Sequence, residues 1–208
     1  MNIRGKNNRS RLVGQYNFTP IGRVKLLPWQ NSRKSAAGGS ITDECYEFSY
    51  RAKSGSKGGT LYCGSTAAQC LLSLLGQSNI PLFDPFVSSQ GGSGAAGQAG
   101  GGASIQWDPV AKELFNAICV LSACCAIKID PSLPIGKIKG RLLAKPSHQP
   151  SNNDINHFNN IINTFLKGKT LTAEIQAKAN RYPNAGIQPF NFNNLTQIVA
   201  QSGNKSYY

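Results

Sequence analysis

Carboxylates are scarce in this sequence. Nine aspartates and glutamates stand against 22 lysines and arginines in 208 residues, which leaves a net charge of +13 at pH 7. So few acids exclude an acidic surface and leave little from which to build a carboxylate cluster around a catalytic metal. Histidine is scarcer still: His148 and His157 are the only two. No HExxH, nucleophile-elbow or Cys-x-x-Cys pattern occurs, so we assign no catalytic residue, metal ligand or cofactor. The longest apolar run, 114–127, is too short to span a bilayer and is interrupted by Asn116 and Ser122. No apolar segment of a secretory signal follows Met1, and the chain is expected to be cytoplasmic. Cys45, Cys63, Cys70, Cys119, Cys124 and Cys125 lack framework spacing, and three of them share one apolar run. They read as reduced, buried thiols.

What is abundant is positive charge. A field of this sign attracts polyanions, above all nucleic acid. No amphipathic basic helix or lipidation signal accompanies it, so a membrane partner is not expected. Other protein subunits remain possible partners.

Patterning predicts an α+β fold: a small antiparallel sheet packed by three to five helices, with a Gly-rich flexible insertion. Residues 1–14 read as a basic flexible arm, 15–87 as sheet plus first helix, and 88–104 as the Gly-rich insertion. Residues 105–208 read as a helical part with a short basic strand, sharing one core with 15–87. Strands are expected near 15–27, 45–50, 60–63 and 135–143. Helices are expected near 66–75, 109–128 and 152–166, with further helices from Thr170 or Thr172 to Tyr182 and over 194–201. The residues from Lys205 to Tyr208 look like a free tail.

The clearest unit is 60–76: a strand, Gly64 at a turn, and a helix capped by Ser65 or Thr66. Gly64, Ser65 and Thr66 form a candidate anion-binding point, because a helix N-terminus presents free N–H groups and partial positive charge. Two stretches without carboxylates supply the candidate nucleic-acid contacts: Arg9, Arg11, Arg33 and Lys34 in the first, and Lys137, Lys139, Arg141 and Lys145 in the second. Trp29, beside Arg33 and Lys34, is a candidate for stacking a base. On the helix near 152–166 the apolar stripe faces a row of asparagines that includes Asn156, Asn159 and Asn160, read as a solvated face.

The function expected is that of a basic nucleic-acid-binding protein, DNA or RNA, with contacts mainly to the phosphate backbone. One alternative is a nucleotide-handling transferase or thiol-dependent enzyme centred on Cys63–Thr66, with Cys63 as nucleophile. Another is a subunit of a larger assembly. The run from Leu61 to Ser65 before a helix resembles the strand–turn–helix of ADP-ribosyltransferases. Cys63 stands where that family carries its nucleotide-holding histidine, and the family is not adopted.

Overall fold

A computed structural model describes residues 1–27, 30, 33–77, 80–86, 106–125, 127 and 129–208. The α+β expectation holds. The chain divides into two compact units, Met1–Phe83 with Lys128–Pro131, and Asp84–Ile127 with Ser132–Tyr208. The insertion expected at 88–104 and the stacking candidate Trp29 lie outside the described residues.

The first unit runs Lys6–Gln15 (α1), Tyr16–Lys25 (β1), Glu44–Ala52 (β2), Gly58–Cys63 (β3), Ser65–Leu74 (α2) and Leu82–Phe83 (β4). Its sheet has the order β3-β2-β1-β4. The first three strands pair antiparallel, and β4 joins β1 in parallel at Arg23 and Val24. Pro20 cannot donate to a ladder, and the β1–β2 register shifts between Pro20 and Gly22, as a bulge requires. The alternation of β2 places Tyr46 and Phe48 in one core cluster with Leu61, Cys63, Ala68, Leu71 and Leu72. Each large apolar side chain buried there contributes about 1.5–3 kcal/mol.

Residues 1–14, expected as an arm, carry helix α1 instead. Ile3 is fully buried and its N–H donates to Ala36 O at 2.9 Å, and Leu12 enters the same cluster. Ile3 and Leu12, with half-buried Val13 beside them, were enough to dock a segment that is otherwise mostly polar.

The second unit is helical: Pro109–Cys125 (α3), Pro134–Ala144 (α4), Asn152–Leu166 (α5), Leu171–Arg181 (α6) and Asn193–Gln201 (α7). Apolar nearly all round, α3 is the spine that α4, α5, α6 and α7 each touch. Its first turn is capped by Asp108, whose carboxylate accepts from Ala111 N at 2.9 Å. Ser151 and Thr170 cap α5 and α6, accepting from Asp154 N and Ala173 N at 3.1 Å each.

Three expectations fail here. The strand at 135–143 is helix α4. Pro134 occupies its first turn, and Ile135, Ile138 and Leu142 bury one face at helical spacing. β-branched isoleucines and two glycines lower the helix propensity of this stretch and gave it a strand-like local composition. The tail is not free either. Asn159, expected on a solvated face, is buried and clamps the chain end: its Nδ2 donates to Lys205 O at 2.9 Å, and Tyr207 N donates to its Oδ1 at 2.7 Å. Leu171 N donates to Tyr207 O at 2.7 Å, and Tyr208 is buried with its hydroxyl donating to Ile155 O at 2.8 Å. A buried asparagine satisfied by backbone is a stable arrangement that a helical wheel cannot foresee.

Candidate nucleic-acid interface

In the first unit several of the expected phosphate contacts serve the fold. Arg9 is half-buried and its Nη1 donates to Ile3 O at 3.1 Å. Arg33 Nη1 pairs with Glu47 Oε1 at 3.0 Å, and its guanidinium lies 4.8 Å from the Tyr62 ring centre. Burial is the largest influence and opposes the charge on Arg33, but Glu47, Cys45 and Tyr62 together outweigh it and hold the guanidinium above its ordinary range. The carboxylate of Glu47 is itself almost wholly buried, so Arg33 is committed to neutralising it rather than to a ligand. Arg11 is exposed and bonds to Asn8 and Gln15 within its own helix. Lys34 is exposed beside a short bridge to Ser40.

At the head of α2, Ser65 and Thr66 are exposed, no side chain caps the helix and no acid occupies its first turn. The first-turn N–H groups of α2 at Gly64, Ser65 and Thr66 therefore have no side-chain cap. Cys63, one residue earlier, is different. It is fully buried, and burial pushes its thiol up to about 12, Cys45 adding to the effect and Arg9 opposing it. A thiol protonated and enclosed at neutral pH is a packing residue rather than a nucleophile. Half-buried Cys70 and Cys125 are the better targets. Native alkylation with iodoacetamide at pH 8 is expected to modify these two well before Cys63, Cys45 or Cys119, as read by peptide mass spectrometry. Labelling of Cys63 at a comparable rate would overturn this burial assignment.

In the second unit the helical form of α4 sorts the four expected cations. Lys137, Arg141 and Lys145 recur every four residues and are exposed, so they make one stripe. At about 1.5 Å rise per residue the stripe is about 12 Å long. Lys139 points the other way into the core, with its Nζ 5.7 Å from the Phe115 ring centre. Arg141 is held in place by Asp154, Nε to Oδ2 at 3.3 Å and Nη2 to Oδ1, while more than half its side chain stays exposed.

The other carboxylates explain why the surface is so basic. Glu44 pairs with Arg23 at 2.8 Å, and Glu174 lies 3.9 Å from Lys178. Asp84 and Asp108 accept backbone N–H groups, and Glu113 receives Asn194 Nδ2 at 2.6 Å and Leu195 N at 3.2 Å. Glu47 and Asp154 are likewise engaged in internal pairs, with Arg33 and Arg141.

A residue that sequence reading passed over stands at the end of the stripe. Asp108 N donates to Pro146 O at 2.9 Å, which brings the start of α3 against the residue after Lys145. Half-buried Trp107 sits there, its ring 5.1 Å from that of Phe115 and tilted by 41°. Lys112 Nζ is 5.1 Å from the Trp107 ring centre and 5.8 Å from that of Phe115. Burial holds the Lys112 ammonium below its ordinary range, with Cys119 opposing. The available signal was the pairing of Trp107 with Lys112 across a helix start.

No protein-family model, curated protein or solved structure matches the chain. Among the described residues no helix is long and apolar enough to cross a membrane.

Proposed function

We propose that the protein binds nucleic acid through the phosphate backbone, with the exposed face of α4 as the principal contact. The observation that carries this reading is the stripe of Lys137 and Arg141 on α4, a helix that contains no acidic residue, continued by Lys145 at its C-cap. Cations about 6 Å apart along a rigid helix can engage successive phosphates and release their condensed counterions, which is the main source of sequence-independent affinity. Arg141 retains donors beyond those spent on Asp154, because a guanidinium carries five N–H groups in a fixed fork. The pairing also fixes the side chain in advance, so less rotamer freedom is lost on binding. The anion point at Gly64–Thr66 and the exposed cations Arg11 and Lys34 offer additional contacts within the first unit. We infer a cytoplasmic location, a reading supported by six cysteines that lack disulfide-framework spacing.

A fluorescence anisotropy titration with a labelled oligonucleotide across a salt series tests the reading. Binding is expected to be tight at low salt, with the logarithm of the association constant falling linearly and steeply as the logarithm of salt rises. No binding at low salt, or binding insensitive to salt, would remove the phosphate reading.

A further inference from the structure

The strand form of the ligand follows from what lies at the carboxyl end of the α4 stripe. Phosphate contacts alone accept duplex and single strand alike, whereas an aromatic side chain beside them selects for unstacked bases. The bond from Asp108 N to Pro146 O fixes Trp107 next to the residue that follows Lys145. Phe115, almost completely buried, backs the indole, and the Lys112 ammonium lies within cation–π range of both rings. An indole whose only task was to fill the core would be enclosed by apolar groups. Trp107 instead keeps part of its surface in solvent, with ammonium groups near it and its neighbour. Cation and aromatic surface adjoining a phosphate-spaced track are the two components of a single-strand site.

We propose that Trp107 is the stacking platform for an unpaired nucleobase at the end of the Lys137–Arg141–Lys145 track, so that single-stranded nucleic acid is the preferred ligand. This rests on the phosphate reading of α4. The strand runs along the stripe, and the base following the phosphate at Lys145 turns onto the indole. The Lys112 ammonium now lies over the indole, 5.1 Å from its centre, so the incoming base displaces it toward the next phosphate.

The sequence has two tryptophans, so a Trp29→Phe variant leaves Trp107 as the sole indole reporter. Its emission is followed during titration with single-stranded oligo(dA) and, separately, with an abasic sugar–phosphate oligomer of equal length. Anisotropy of labelled forms of both probes reports binding to the wild-type protein. The expected result is that both probes bind and only oligo(dA) quenches Trp107. In addition, Trp107→Leu is expected to lose roughly 5- to 100-fold in affinity for oligo(dA), as loss of one stacked base would give. The abasic probe should lose little, and Trp107→Phe should retain most of the affinity. Binding of both probes with unchanged Trp107 emission overturns the stacking proposal and leaves the phosphate reading standing. Failure of both probes to bind overturns both. The quenching arm keeps Trp107 in place, so it remains decisive even if the leucine variant does not fold.

Discussion

Replacing Tyr208 by alanine is expected to destabilise the helical unit by about 3–5 kcal/mol, the range for emptying a buried aromatic site. The residue is 5% exposed and its ring lies 6.1 Å from Phe158 and 6.2 Å from Phe192. Truncation therefore opens a cavity between α5 and the segment leading into α7, and it also removes the hydrogen bond to Ile155 O. Tyr208→Phe retains the ring and is expected to cost about 1 kcal/mol, the usual net value of one hydrogen bond. Urea unfolding followed by near-ultraviolet circular dichroism separates the two variants. If both behave like wild type, the chain end is the free tail that its polar composition suggests.

Tyr208 also makes a pH-dependent contribution with a definite sign. Burial raises its phenol well above the usual tyrosine range, so the folded state disfavours the phenolate. A pKa raised on folding gives stability that is complete below the unfolded value, about 10, and is lost as pH climbs beyond it. Wild type should lose this increment above about pH 10, and Tyr208→Phe should lack that part of the alkaline decline.

Local signals were legible wherever chain chemistry and packing agree. The passage from β3 through Gly64 into α2 was readable because strand residues, a turn and an apolar helical period follow one another without interruption. Helix α5 was readable from Ser151 and the six-residue apolar stripe beginning at Ile155, and α3 from Asp108-Pro109 and its apolar length. Helix α4 was not, because Ile135 and Ile138 next to Gly136 and Gly140 look locally like strand and turn. Only tertiary burial of Ile135, Ile138 and Leu142 on α3's side of the unit decides for helix.

The candidate site was legible as composition and illegible as geometry. Sequence alone marked 133–150 as basic and free of acids, and that stretch does carry the exposed stripe. It could not sort the cations, since Lys139 and Arg33 look like Lys137 and Arg141 until Phe115 and Glu47 are placed beside them. Trp107 was passed over because its relation to Lys145 runs through a backbone hydrogen bond between segments 38 positions apart, Asp108 N to Pro146 O. Asn159 was misplaced for a related reason: its two partners lie near the chain end, beyond the reach of any helical wheel.

Neutralising the stripe has the largest expected effect on binding. Three phosphate contacts to a single strand contribute about 0.7 each to the salt exponent, so their loss should make it shallower by about 2 and weaken binding about 100-fold near 0.1 M salt. The triple variant Lys137→Gln, Arg141→Gln, Lys145→Gln removes these charges from exposed positions. Its cost to folding should be small, since the one ion pair broken, Arg141 with Asp154, is largely exposed on the arginine side. A control of equal net charge is available in Arg51→Gln, Lys53→Gln, Lys57→Gln, all exposed around the β2–β3 turn.

The measurement to make is the salt dependence of oligonucleotide affinity for wild type, the α4 variant and this control. The expected result is a markedly shallower slope and a large loss of affinity for the α4 variant, with the control close to wild type. Equal losses in the two variants would mean that net charge alone draws the ligand, and an α4 variant indistinguishable from wild type would contradict an interface on α4.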